Sequence, residues 1–369
     1  MKILRVVSDL YPAVVGGLGI HAYEMSRMQA KFGHDVTVYT YNQKPGHKNQ
    51  TSNGFNTTLF NPTLKILGNT MSIALFQAVI KNRRSFDIIH AHSHLFLSTN
   101  MCALIRQFGS SPLIITNHGL ISQTVPIWIQ QIFIPTIAKW TFKSADRIIC
   151  YTIHEKDELI ELGIDPEKIA VIHNGINTEV FIPNDDQVRS TTVLWIGRYT
   201  PGKGVQYLID AFARIVQSHP HAHLIMIGDG PQKEEIHQKI QKLGLSTHIT
   251  QKTFVPNEDL PALYQSSDVF VLPSLSEGVP RTILESMACG IPVVCTDLPQ
   301  LIDLVNGAGL LVPTRNSEAI ASAIIKIIEN PEFASELGKT GTERIVKYYS
   351  WKDTVSQTIA LYEEVLCQQ

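Results

Sequence analysis

Short apolar runs alternate with amphipathic stretches along the whole chain. Residues 3–7, 35–39, 87–90, 113–116, 147–150 and 170–172 read as strands, and a second series follows at 192–196, 223–227, 249–254, 269–272 and 293–295. Runs such as Val269-Phe270-Val271-Leu272, apolar at every position, suit strands buried on both faces. Helix-length segments such as 20–32, 205–217, 232–243, 259–265 and 281–289 separate them. That alternation predicts an α/β protein with parallel sheets and helices on both faces. The polar stretch Pro183-Asn184-Asp185-Asp186-Gln187 interrupts the pattern, and Thr192 starts a fresh strand, loop and helix. Two doubly wound domains are therefore expected, 1–183 and 184–351, with a hinge at that stretch. In such folds ligands bind at the carboxyl ends of the strands, so a shared central cleft is expected and residues just after strands carry the chemistry.

Composition narrows the class. A chain of 369 residues, 44% apolar and 17% charged, is long enough for two cores and describes a globular protein. The start, Met1-Lys2-Ile3-Leu4-Arg5-Val6-Val7, reads as a buried strand rather than a signal peptide. Five scattered cysteines without a CxxC pair suit reduced thiols, and a cytoplasmic protein is expected. Charge is uneven: up to Cys150 there are 14 Lys+Arg against 5 Asp+Glu, and beyond it 17 against 28. A basic first half suits an anionic acceptor or lipid surface.

Two glycine-rich loops follow the opening strands of the two series. Gly17-x-Gly19-x-x-Ala22 loosely mimics a dinucleotide fingerprint. Its glycines come too long after the strand, however, and no acidic residue ends the second strand to hold a ribose. A Gly16-Gly17 turn whose bare backbone approaches a phosphate at a helix start remains, beside a tight turn without a ligand. Gly197-Arg198-Tyr199-Thr200-Pro201-Gly202-Lys203-Gly204 is one residue short of a phosphate-binding P-loop, and Gly204 stands where the magnesium-binding hydroxyl belongs. What remains is a guanidinium fork and an ammonium point charge, Arg198 and Lys203, a pairing suited to a diphosphate.

The densest chemistry lies at Ser276-Glu277-Gly278-Val279-Pro280-Arg281-Thr282-Ile283-Leu284-Glu285. Pro280 is placed as the first residue of a helix, leaving the amides near Gly278, Val279 and Arg281 as an anion site. Glu277 precedes the helix and Glu285 lies on its second turn. Carboxylates there can accept hydrogen bonds from vicinal hydroxyls of a sugar or ribose.

Taken together, these motifs resemble those of the family 4 retaining glycosyltransferases, which have the GT-B fold. The matching residues run in order through Gly16-Gly17, Gly33-His34-Asp35-Val36, Asp87-Ile88-Ile89-His90-Ala91-His92, Asn117-His118-Gly119 and Asn174-Gly175-Ile176-Asn177. They continue through Gly197-Arg198, Lys203-Gly204, Gly228-Asp229-Gly230-Pro231, Glu277-x7-Glu285 and Gly290-Ile291-Pro292. The resemblance implies two Rossmann-like domains facing a cleft and transfer of a hexosyl group from a nucleotide-diphosphate sugar to a hydroxyl acceptor, with retention. It implies that Arg198 and Lys203, helped by the Gly17 amide, neutralise the diphosphate. Glu285 would hold the ribose, Glu277 the transferred sugar, and the Phe254–Val255 segment the base, with Gly228 also on the donor side. His118 would sit near the reacting carbon. The family also folds its last helix back onto the first domain, which assigns 352–369 there; residues 354–366 have the apolar spacing for that helix. No DxD pair occurs, so metal-independent chemistry is expected, with no cofactor. Within the family UDP-sugars are the commoner donors and GDP-mannose the next.

His90, His92 and His94 alternate, which would place three imidazoles on one face of an extended chain, a zinc-capable set without a carboxylate partner. His219, His221 and His223 precede a strand and read as solvated surface. The segment Val125 to Lys143 is rich in large apolar residues, with Trp128 and Trp140. It is either core helix or a helix lying at an anionic membrane interface, where a lipid-linked acceptor would be met. No nucleic-acid partner is expected. Two rival functions stay open: a nucleotide-sugar epimerase of the same architecture and a catalytically silent sugar-nucleotide-binding subunit.

Overall fold

A computed structural model describes the chain apart from residues 15, 43–49, 67–68, 123–124, 185–190 and 369; the side chains of 50–52 and 66 also lie outside the description. Residues 185–187 of the stretch read as a hinge are therefore not described. The chain forms two compact units, Met1–Gly175 with Trp351–Gln369, and Ile176–Ser350.

The first unit is built on an eight-stranded sheet. In spatial order its strands are Ile169–Val171, Arg147–Cys150, Leu113–Thr116, Ile88–His92, Lys2–Val6, Asp35–Tyr41, Phe55–Phe60 and Gln50–Ser52. Every adjacent pair is parallel except the last, which is antiparallel. The chain passes from Lys2–Val6 to Asp35–Tyr41 on one side and later returns to Ile88–His92 on the other. Alternate residues feed two separate cores. Leu4, Val6, Ile89 and Ala91 enter one cluster, whereas Ile3, Val7 and Ile88 enter another with Leu361, Tyr362 and Val365 of the last helix, Trp351–Cys367. Residue 5 shares the face of residues 3 and 7, so the period of two sends the Arg5 side chain toward the core below that helix.

The second unit has six parallel strands in the order Ile249–Lys252, His223–Ile227, Thr192–Ile196, Val269–Leu272, Val293–Thr296 and Gly309–Val312. In chain order that is 3-2-1-4-5-6, the doubly wound arrangement. Val193, Trp195, Val269 and Val271 pack to one side, and Leu194, Phe270 and Leu272 to the other. The order reverses between Thr192–Ile196 and Val269–Leu272, and a crevice opens at such a point beyond the strand ends. The loops leaving those two strands carry Arg198, Lys203 and Glu277.

Several predicted boundaries shift. The first helix is Gly17–Lys31, so it begins three residues before the expected 20 and takes the glycine turn into its first turn. Strand 249–254 ends at Lys252, which leaves Phe254 and Val255 in a loop before Pro256. Pro280 occupies the N-cap with extended backbone (φ −73°, ψ 124°), and the helix proper is Arg281–Ala288.

Candidate active site

In the second unit, three loops meet with almost no side chain between them. Gly204 has φ +62°, and a Cβ there would lie 2.1 Å from the Pro273 carbonyl oxygen. Gly228 has φ +154°, and a Cβ would lie 1.7 Å from the Gly197 oxygen. Both positions thus require glycine for backbone conformation and for room. Leu275 N donates to Gly202 O at 2.7 Å and clamps the first loop to the third. This holds Lys203 against Glu277: Nζ to Oε1 is 2.5 Å, with the two side chains 15% and 6% exposed. Ser274 Oγ donates to the same oxygen at 2.6 Å, Thr296 donates to the Ser274 carbonyl, and Gln300 donates to the Glu277 carbonyl. Arg198 is exposed on the loop, and among the described residues no carboxylate lies within ion-pairing distance of it.

Glu285 is buried on the helix that follows. Tyr264 donates to its Oε2 at 3.0 Å, and Arg281 Nη2 to its Oε1 at 3.2 Å. Burial raises its pKa against the pull of Arg281. Burial, with Glu285 beside it, pushes the Tyr264 hydroxyl well above its usual range. Phe254 is exposed and Val255 half-buried against the core. Gly278, Val279 and Pro280 lie partly exposed at the helix start.

In the first unit, His118 lies just beyond strand Leu113–Thr116, and Gly16 and Gly17 form the N-cap and first residue of helix Gly17–Lys31. The expected set of three imidazoles on one face is corrected here. His90 and His92 do share a face, with ring centroids 4.5 Å apart. The strand stops at His92, and Ser93 turns with φ +61°, so His94 packs instead beside Phe142. The third imidazole comes from elsewhere: ligand atoms of His21, His92 and His118 all lie within 4.8 Å of one another.

Hydrogen bonding argues against a metal at that trio. Arg5 Nε donates to His92 Nε2 at 3.0 Å, and an arginine can only donate. His92 therefore carries its proton on Nδ1, the atom facing His118 Nε2 at 3.1 Å. A metal-bound imidazole normally gives its remaining N–H to an acceptor, which Arg5 cannot supply. Burial drives the pKa values of His90, His92 and His118 well below the ordinary range; neighbouring imidazoles act in the same direction on all three, and Arg5 on His90 and His92.

Comparison with known proteins adds to this geometry. The family described as "Glycosyltransferase Family 4" matches residues 15–180, and that described as "Glycosyl transferases group 1" matches 179–344. The chain belongs to the group 1 glycosyltransferases. An uncharacterised glycosyltransferase of Methanocaldococcus jannaschii is 26% identical over 400 residues, spanning 98% of both chains. The sucrose-phosphate synthase of Thermosynechococcus elongatus superposes with TM-score 0.85 at 22% identity, with all of both chains covered. The Anabaena protein HepE in complex with UDP-glucose does so with TM-score 0.80 at 20% identity, again over all of both chains. The two parallel-sheet domains of this glycosyltransferase are those of the GT-B fold.

Of the residues described above, the sequence points to Arg198, Lys203, Glu277, Glu285 and His118, whereas Arg5, His21, Tyr264, Ser274 and Gln300 emerge only from the structure of this glycosyltransferase. Only Arg5 leaves a signal in the sequence: a charge inside the otherwise apolar run of residues 3–7.

Proposed function

We propose that this glycosyltransferase moves a hexosyl group from a nucleotide-diphosphate sugar to an acceptor hydroxyl, with retention and without a metal. The donor is a UDP-sugar in preference to GDP-mannose, and the acceptor a sugar, a lipid-linked sugar or an anionic small molecule. The observation that carries this reading is the Lys203–Glu277 pair, held on glycine-packed loops at the topological switch point beside the exposed Arg198. An arriving diphosphate would draw Lys203 away from Glu277 and pair with both cations. The released carboxylate could then accept a sugar hydroxyl. Preorganised cations also stabilise the charge that develops on the leaving diphosphate, which removes the need for a metal. The UDP-glucose bound by HepE supports the donor class.

In this reading Glu285 holds the ribose, Phe254, Val255 and Gly228 border the nucleotide, and the amides near Gly278, Val279 and Pro280 face the phosphates. Gly16, Gly17 and His118 face the transferred sugar. For the first cation, Lys203→Ala should cut kcat by about two orders of magnitude or more while leaving the acceptor KM within a few-fold. Turnover that collapses in excess EDTA and returns with magnesium would overturn the metal-free part. Thermal-shift titration with UDP-, GDP- and ADP-sugars tests the donor, since a ligand that binds only the folded state raises its melting point.

A further inference from the structure

Arg5 is fully buried, yet among the described residues none of its hydrogen-bond partners is a carboxylate. Its Nε donates to His92 Nε2 at 3.0 Å, Nη1 to Ser26 Oγ at 2.6 Å and Nη2 to Gln29 Oε1 at 2.9 Å. Burying a guanidinium among neutral groups costs several kcal/mol even when it is fully hydrogen-bonded. A packed apolar residue on the face shared with Ile3 and Val7 would avoid that cost. What the Arg5 donor does is set by the protons beyond it. His92 Nε2 must accept, so a neutral His92 has its proton on Nδ1 and gives it to His118 Nε2 at 3.1 Å. A neutral His118 then has its proton on Nδ1, which meets Tyr151 Oη at 3.2 Å. Adding a proton anywhere along the chain sets two N–H groups against each other. Either His92 Nε2–H would face Arg5, or His118 Nε2–H would face His92.

We propose that Arg5 is a positioning residue that fixes the proton order of a His92–His118–Tyr151 chain and so presents His118 as a neutral imidazole in one tautomer. This rests on the reading that His118 faces the reacting sugar. Positive charge grows at the anomeric carbon as the bond to the diphosphate breaks, and an imidazolium there would oppose it.

The groups around the chain are His21 from helix Gly17–Lys31, His90 on the same strand, His94 beyond it, and Tyr362 on the last helix. Glu155 accepts from the Tyr151 backbone amide. The charges that act on His92 and His118 all come from Arg5 and other imidazoles, none from a carboxylate.

The test uses two substitutions that treat the hydrogen bond and the charge differently. Arg5→Met keeps length and apolar bulk but removes the donor. Arg5→Gln places an amide nitrogen where Nε stands, so it keeps a neutral donor to His92. Imidazole 15N shifts of histidine-labelled protein report tautomer and protonation directly, between pH 5 and 8. In the parent chain His92 and His118 should both show the Nδ1–H tautomer and not titrate. In Arg5→Met at least one should lose that order and take up a proton at higher pH than in the parent, still below the ordinary histidine range because it stays buried. The acid limb of its kcat/KM profile should then move up by about one pH unit. Arg5→Gln should restore both readouts toward the parent.

Unchanged shifts in a folded Arg5→Met protein, checked by the His90 signals and near-UV dichroism, overturn the proposal. So does an Arg5→Gln protein that behaves like Arg5→Met, because charge rather than the hydrogen bond would then be the cause. Altered tautomers with an unmoved pH profile leave Arg5 in its role but overturn the reading of His118. His118→Ala, if fully active, does the same.

Discussion

Single residues here often answer to burial before anything else. Glu155 sits on the first turn of helix Ile153–Glu161, where Thr152 caps by accepting from the Glu155 amide. Its own carboxylate accepts from the Tyr151 amide, but burial wins and pushes its pKa up from 4.5 to about 7. The sign follows: the fold prefers the protonated acid, so this contribution to stability is complete below about pH 4.5 and is lost as pH rises through about 7. Glu155→Gln should remove that slope, gaining at most about 3 kcal/mol over the parent at pH 8 and almost nothing at pH 4.5. Urea midpoints at the two pH values measure it. Tyr264→Phe acts on a second buried acid, Glu285. Losing the donor to Glu285 should destabilise the second unit by about 1–3 kcal/mol and raise the Glu285 pKa further. Denaturant melts of that variant at pH 5 and 8 would show a larger loss at pH 8. Of these residues the sequence revealed type and spacing. The partner Tyr264 could not be read from it, because a hydrogen bond between residues 21 apart leaves no periodic trace.

Elements were legible in proportion to how completely they are buried. Leu113–Thr116, Arg147–Cys150, Thr192–Ile196, His223–Ile227 and Val269–Leu272 fall where continuous or alternating apolar runs predict them. Phe55–Phe60 escaped notice because Phe-Asn-Thr-Thr-Leu-Phe is mostly polar, as suits a strand with partly exposed faces near the sheet edge. Gly309–Val312 is short and opens on a glycine, a poor strand former whose Cβ would meet the Val293 carbonyl oxygen. The segment with two open readings is Ile127–Phe133, continuing through a π-helical turn at Ile134–Ala138 into Lys139–Ser144. Core packing explains only part of it: Ala138 and Phe142 are fully buried, whereas Ile127, Trp128, Ile132, Ile137 and Trp140 are exposed, Ile127 by 72%. No helix in the described residues is long and apolar enough to cross a membrane. An exposed apolar ridge with two tryptophans on the basic half of the chain suits docking at an anionic lipid surface. Trp128→Glu combined with Ile132→Glu should abolish sedimentation with phosphatidylserine vesicles at low salt while shifting Tm by no more than about 2 °C. No sedimentation of the parent chain would end the idea.

At the scale of the molecule, the chain leaves its first unit after Gly175 and re-enters it at Trp351. The two ends of the second unit meet: Ile176 N donates to Tyr349 O at 2.7 Å, and Ile176 pairs with Ser350. The re-entering helix closes the first core through Tyr362 and Val365, with Trp351 and Val355 packed beside Met25. Its place was legible only through the family resemblance, since an amphipathic pattern does not say which sheet it will cover. A chain ending at Ser350 should therefore keep a folded second unit and lose the first. Limited proteolysis would show this as rapid loss of peptides from Met1–Gly175, with those from Ile176–Ser350 protected.

The same return of the chain imposes an order on its birth. On the ribosome, the sheet around Lys2–Val6 emerges before the second unit, yet the helix that covers the Ile3, Val7 and Val36 face is made after it. At translation rates of about 5–20 residues per second, that face waits many seconds while Ile176–Ser350 is synthesised and can fold whole. The sheet made before the second unit is thus completed after it, and during that interval its uncovered apolar face needs a chaperone.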